Sequence, residues 1–121
     1  MIVLGVFLAG GAGAIARYLV DAFVQRRPGT SFPYGVLVIN VSGSLLLGLL
    51  TGFALYHAFP HTPQVILGTG FCGGYTTFST HALDTVALVE HRRTRAALYN
   101  VLANLFLATA AAAIGMGLAS L

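Results

Sequence analysis

Long apolar runs alternate with short polar clusters along this chain. Residues 1–16 carry no Lys, Arg, Asp or Glu, and the apolar character continues to about residue 24, past Arg17 and Asp21. Three further runs free of those residues cover Pro28–Phe59, Thr62–Leu83 and Ala96–Leu121. Each can supply the roughly 20 residues that a helix needs to cross a bilayer. The pattern predicts an all-α membrane protein in one domain, with four transmembrane helices at about 2–24, 34–58, 62–89 and 96–119. Four helices in 121 residues leave almost no loops and no room for an extramembrane domain.

The third run differs from the others. Its centre, Cys72–Thr80, is crowded with glycine and hydroxyl residues. A spanning helix cannot leave backbone groups unpaired against lipid, so irregular backbone at that depth must be shielded by protein or line a polar cavity. Gly73-Gly74 followed by Thr76-Thr77 therefore predicts a break at mid-membrane, near residues 73–77. Such breaks present backbone carbonyls and hydroxyls to an ion. Beyond the break, Thr77, Thr80 and Asp84 recur at helical spacing, as do Phe78 and His81. A face that mixes aromatic and polar groups is unusual against lipid.

The other segments are built for close packing. The first holds Gly5, Gly10, Gly11, Gly13 and several alanines, and the second places Ser44, Gly48 and Gly52 four residues apart. Small residues at this spacing let helix backbones approach in lipid. Asn40 lies well inside the second segment. It is costly there unless paired, either by an interhelical hydrogen bond or as a pore-lining donor, since an amide NH2 donates well to an anion. Asn100 and Asn104 share a face of the fourth segment, where interhelical hydrogen bonding is the simpler expectation. Arg17 and Asp21 are one turn apart, which fits either a surface ion pair or a positive charge at a water-filled vestibule.

Composition agrees with the pattern: 57% of residues are hydrophobic and 7% are charged. The net charge of +3 comes from arginines that flank helices, where anionic lipid is the expected partner and a nucleic-acid role is unnecessary. Arg26 and Arg27 lie in the first loop, and Arg92, Arg93 and Arg95 in the third, whereas the second loop and both termini hold none. The positive-inside rule then places loops one and three in the cytoplasm and both termini outside. The first segment lacks the basic start and small-residue cleavage site of a signal peptide. Pro60 separates His57 from His61, so those histidines do not read as metal ligands, and a single Cys72 allows no intrachain disulfide. No nucleophile–base pair or cofactor motif supports an enzyme.

Three stretches together carry a resemblance. G-A-G-A-I-A-R-Y (Gly11–Tyr18), V-I-N-V-S-G-S (Val38–Ser44) and G-F-C-G-G-Y-T-T-F-S-T (Gly70–Thr80) resemble the Fluc (CrcB-type) fluoride channels, and the likeness runs through all four segments in order. The resemblance implies a plasma-membrane channel through which fluoride leaves the cytoplasm passively. It implies two antiparallel chains in a dual-topology-type dimer, two pores, and a structural sodium ion at the dimer interface. Backbone carbonyls matching Gly73 and Thr76 would hold that sodium. Asn40, Phe78, Ser79, Thr80 and Tyr99 match positions along the fluoride path, Arg17 matches the vestibule arginine, and Asp84 falls where the family often has Glu.

Two departures stand out. The family usually repeats Phe three residues after Phe78, and here His81 takes that place on the fluoride path. Small polar residues of the fourth helix are replaced by Ala103 and Leu107. An antiparallel homodimer needs a chain that inserts both ways, whereas the five loop arginines here all favour one orientation. The expectation is a heterodimer with an oppositely oriented paralogue rather than a homodimer. Two rival readings are a small four-helix proton-coupled exporter, with Asp84 as its embedded carboxylate, and a non-conducting subunit that completes a dimer.

Overall fold

The computed structural model describes residues 1–25 and 32–121, and every regular element among them is helical. The loop-one arginines Arg26 and Arg27, and the Pro28-Gly29 turn, lie outside the described residues. The elements are α1 (Ile2–Gln25), α2 (Tyr34–Tyr56), α3 (His61–Val65), a π-helical stretch (Ile66–Cys72), α4 (Gly73–Tyr75), α5 (Ser79–Glu90) and α6 (Thr94–Ala119). Helices α1, α2 and α6 have 24, 23 and 26 residues and are apolar enough to cross a membrane. At 1.5 Å per residue each exceeds the roughly 30 Å hydrocarbon core. The chain is thus a multi-pass helical membrane protein.

Contacts between helices fix their relative direction. A Cβ built on Gly48 of α2 would strike the Ala112 carbonyl of α6, with Ala112 Cα at 2.9 Å. One built on Gly115 of α6 would strike Leu45 O, with Leu49 N at 2.9 Å. Asn40 meets Asn104 near one end of this pair, and His57 meets Ala119 at the other. Residue numbers rise together along both helices, so α2 and α6 run parallel, backbone against backbone. His57 Nε2 lies 2.7 Å from Ala119 O and must be the donor, because a carbonyl only accepts.

The same holds for α1 and the α3–π–α4 rod. Gly5 faces Ile66, Gly70 faces Val6 and Ala9, and Gly74 faces the Gly10 backbone. These two also run parallel. Helix α5 ends on a left-handed Arg92 (φ 59°), with Arg93 N bonded to Leu88 O at 2.8 Å and Arg92 N to Val89 O at 3.0 Å. That Schellman-type end turns the chain back so that α6 runs antiparallel to α5. Much of the outer surface is apolar, with Val3, Phe7, Tyr18 and Phe23 of α1 each more than half exposed. Lipid tails or another chain must cover such a face.

Candidate functional site

Between α4 and α5 the regular helix is interrupted at Thr76–Phe78, and Phe78 already has helical dihedrals (φ −95°, ψ −38°) where α5 begins. Thr76 turns extended (φ −77°, ψ 160°). Its N–H and its hydroxyl both donate to Cys72 O, each at 2.9 Å, which closes the last turn of the rod. Gly73 and Gly74 themselves remain helical. Gly74 lacks a Cβ because α1 lies against it, not because the chain bends there. Gly43 of α2 leaves room for the Thr76 methyl and sits close to the Tyr75 ring.

Two helical donors are redirected at this interruption. A continuous helix would send Thr77 N–H to Gly73 O and Thr80 N–H to Thr76 O. Thr77 N–H instead reaches Asn40 Oδ1 at 3.0 Å, and Thr80 N–H reaches Thr77 Oγ1 at 3.2 Å. Thr77 therefore caps the N-terminus of α5 with its side chain, and the carbonyls of Gly73 and Thr76 are released from helix bonding. The Thr76 oxygen accepts one long contact, from Arg17 Nη1 at 3.4 Å. A Cβ on Gly73 would meet nothing within 4 Å, so that residue faces open space. Backbone carbonyl oxygens are ligands that hard cations take, and that of Thr76 already meets the Arg17 guanidinium. Among the described residues no group of three His, Cys, Asp or Glu could hold a metal.

Asn40 is fully engaged within the chain. Its amide donates to Thr77 O and to Asn104 Oδ1, both at 3.0 Å, while its oxygen takes the Thr77 N–H. Both amide hydrogens are thereby used. Beyond it, Asn104 donates to Asn100 O at 2.9 Å and Asn100 Oδ1 at 3.1 Å. Asn100 donates to Thr85 Oγ1 at 2.9 Å and contacts His81 Nδ1 at 3.3 Å. Thr77, Asn100 and Asn104 are buried, at 8%, 0% and 7% exposure, so this chain of bonds is shielded from competing solvent. It joins α2, the interruption, α5 and α6.

The expected site residues fall into three places. An open cavity of about 530 Å³ is lined by Asn40, Gly73, Thr76, Phe78 and His81 among others. Thr80 and Asp84 line a separate one of about 470 Å³, together with Asp21 and His91. Tyr99 borders neither and sits beside Arg93 and Arg95 on α6. Ser79 is exposed beside Phe78, which is 81% exposed, and its hydroxyl lies 3.4 Å from Thr77 Oγ1. Arg17 is drawn toward the interruption through its Thr76 contact. Sequence reading missed the double backbone pairing of Asn40 with Thr77. The available signal was an Asn in one segment and a helix interruption in another, both needing buried partners.

Residues 4–116 match the family described as "CrcB-like protein, Camphor Resistance (CrcB)". The chain belongs to the CrcB family. CrcB-family relatives extend the likeness over nearly the whole length. The chain is 48% identical over 121 residues to "Fluoride-specific ion channel FluC 1" of Leifsonia xyli subsp. xyli, covering all of this chain and 88% of the relative. It is 45% identical over 118 residues to "Fluoride-specific ion channel FluC 2" of Mycobacterium bovis, covering 98% of this chain and 90% of that one. "Fluoride-specific ion channel FluC" of Rhizobium meliloti is 43% identical over 113 residues, covering 91% and 90%.

Proposed function

We propose that this CrcB-family chain is a subunit of a fluoride-selective channel in the plasma membrane, through which fluoride leaves the cytoplasm down its gradient. The observation that carries the reading is the cluster at the Thr76–Phe78 interruption. Exposed Phe78, Ser79 and Thr80 stand at the start of α5, where the helix dipole favours an anion. Fluoride is small and tightly hydrated, so a path must replace its water with donors, and hydroxyls do so directly. The partly positive ring edge of Phe78 can face the ion without holding it fast. No Lys or Arg lies between Pro28 and Glu90 to trap it, and Arg17 supplies positive charge nearby. Asn40 belongs to this path as the group that fixes the Thr77 backbone, and Asp84 and Tyr99, which line two other cavities, are assigned to its vestibule and its far end.

The reading requires a second chain, because Phe78 and Tyr99 are 81% and 63% exposed on a surface that also carries large apolar side chains. We take that partner to be antiparallel, with the interruption as part of a third membrane-spanning helix. A structural sodium ion would be held by the Gly73 and Thr76 carbonyls of the two chains. It would supply positive charge between them and pin the dimer. The one-sided placement of Arg26, Arg27, Arg92, Arg93 and Arg95 favours an oppositely oriented paralogue as the partner. Terminal reporters on the chain expressed alone are expected to show one dominant orientation, with both termini outside. Equal amounts of both orientations would remove the support for a heterodimer.

Efflux from liposomes tests the function. Protein co-purified with such a paralogue is expected to release fluoride rapidly and chloride at background rates, read with ion-selective electrodes in parallel. Rapid fluoride release by the chain alone would keep the channel and discard the requirement for a heterodimer. Equal release of both anions, or of neither, from folded dimers would refute the channel reading.

A further inference from the structure

We infer that His81 is a neutral anion-contacting donor whose tautomer is dictated by the Thr77 backbone through three asparagines. The chain of bonds has a fixed polarity. A backbone N–H only donates, so the group 3.0 Å from Thr77 N must be the oxygen of Asn40. Asn40 then presents its NH2 to Thr77 O and to Asn104, which must answer with its oxygen. Asn104 therefore presents NH2 to Asn100, whose oxygen accepts at 3.1 Å. Asn100 is left with its NH2 toward Thr85 and His81. Thr85 agrees, because its hydroxyl hydrogen is committed to His81 O at 2.8 Å and its oxygen is free to accept. No amide in the series can flip without breaking the bonds on both sides of it.

His81 Nδ1 therefore accepts from Asn100 at 3.3 Å and carries no proton. A neutral imidazole with a bare Nδ1 has its hydrogen on Nε2. That Nε2–H has no partner among the described residues, and His81 lines the cavity shared with Phe78, whose ring centroid is 6.1 Å away. An uncharged N–H at this place can replace one water of a hydrated anion without the tight hold of a fixed cation. His81 is thereby a specificity-determining residue of the path. Asn100 is a positioning residue, acting only through the ring.

The inference rests on the channel reading for the identity of the anion, but the tautomer assignment does not. ¹⁵N-histidine NMR of the dimer in lipid nanodiscs reads both, with a His81→Gln sample identifying the resonances. At neutral pH the expected result is a protonated Nε2 and a bare Nδ1. Sodium fluoride should shift the Nε2 signal, and sodium chloride at the same concentration should leave it in place. Glutamine carries an amide N–H near the Nε2 position, so His81→Gln should retain several-fold more fluoride flux than His81→Leu. His81→Leu should lose about tenfold, the weight of one hydrogen bond to an ion. Asn100→Leu should release the tautomer into a mixture, and Asn104→Leu gives a second route to that outcome if Asn100→Leu does not fold. A proton on Nδ1, or an Nε2 signal indifferent to fluoride in dimers with fluoride-selective efflux, would overturn the inference and leave the channel standing. The expected tautomer in folded dimers without selective efflux would instead sink the channel reading and the anion-donor role with it.

Discussion

Asn40→Leu is expected to destabilise the bundle by about 3 kcal/mol and to abolish selective anion flux. Leucine keeps the branched shape and heavy-atom count of asparagine, with bulkier methyl groups, but offers no polar atom. Three groups then lose their partner together: the N–H and the carbonyl of buried Thr77, and the side-chain oxygen of buried Asn104. Each unsatisfied buried group costs about 1–3 kcal/mol in water-soluble proteins. Interhelical hydrogen bonds in membranes average nearer 0.6 kcal/mol, which holds the total toward the lower end. Asn40→Asp should be worse still. A carboxylate can accept from Thr77 N–H, but its second oxygen would face Thr77 O and Asn104 Oδ1, two acceptors. Unfolding by a graded rise of denaturing detergent, followed by circular dichroism, measures the stability; liposome efflux measures the flux. An Asn40→Leu protein with unchanged unfolding and flux would show that the interruption is held by something else.

Gly48→Val is expected to prevent α2 and α6 from closing, at a cost above about 3 kcal/mol. The added carbons would occupy the space of the Ala112 backbone, and a helix backbone cannot step aside as a flexible side chain can. Gly115 makes the reciprocal demand on Leu45 and Leu49, so the two helices have no alternative approach in the same register. Gly117→Val is the control, because a Cβ there meets nothing within 4 Å. Size-exclusion chromatography should give a sharp peak at the parent's elution volume for Gly117→Val and aggregate or low yield for Gly48→Val. Identical profiles would refute the close α2–α6 approach.

Much of the architecture was legible in the chain because lipid imposes few choices. Charge-free runs marked α1, α2 and α6, since a Lys or Asp inside a span is too costly to place freely. The four-residue spacing of Ser44, Gly48 and Gly52 announced a packing face, and two of its three members, Gly48 and Gly52, press against α6. What the face packs against was not legible, because spacing describes one helix and says nothing of its partner. The interruption was expected from Gly73 onward, yet the backbone departs only at Thr76. Gly74 serves close approach to Gly10, and that use of glycine has the same sequence signature as flexibility. The π-helical stretch Ile66–Cys72 gave no readable sign at all, being apolar and glycine-rich like its surroundings. At the site, the polar residues could be named, but their division between cavities could not. Periodicity puts Phe78 and His81 on one face, whereas only the fold shows Thr80 and Asp84 turned to another. The bonding of Asn40 depends on partners 37 and 64 residues away, a distance that no local pattern crosses.

The parallel union of α2 with α6 also sets a schedule for biogenesis. Asn40 leaves the ribosome 64 residues before Asn104. At about 5–20 residues per second, the amide waits roughly 3 to 13 seconds in the bilayer before its second partner follows Thr77 out of the ribosome. Through that interval α2 keeps one amide hydrogen without its final acceptor and a glycine groove that nothing yet fills. A nascent chain in this condition is a natural client for membrane insertases and a target for quality-control proteases. Substitutions that slow the arrival of α6 should therefore lower the yield of protein before they alter any property of the finished molecule.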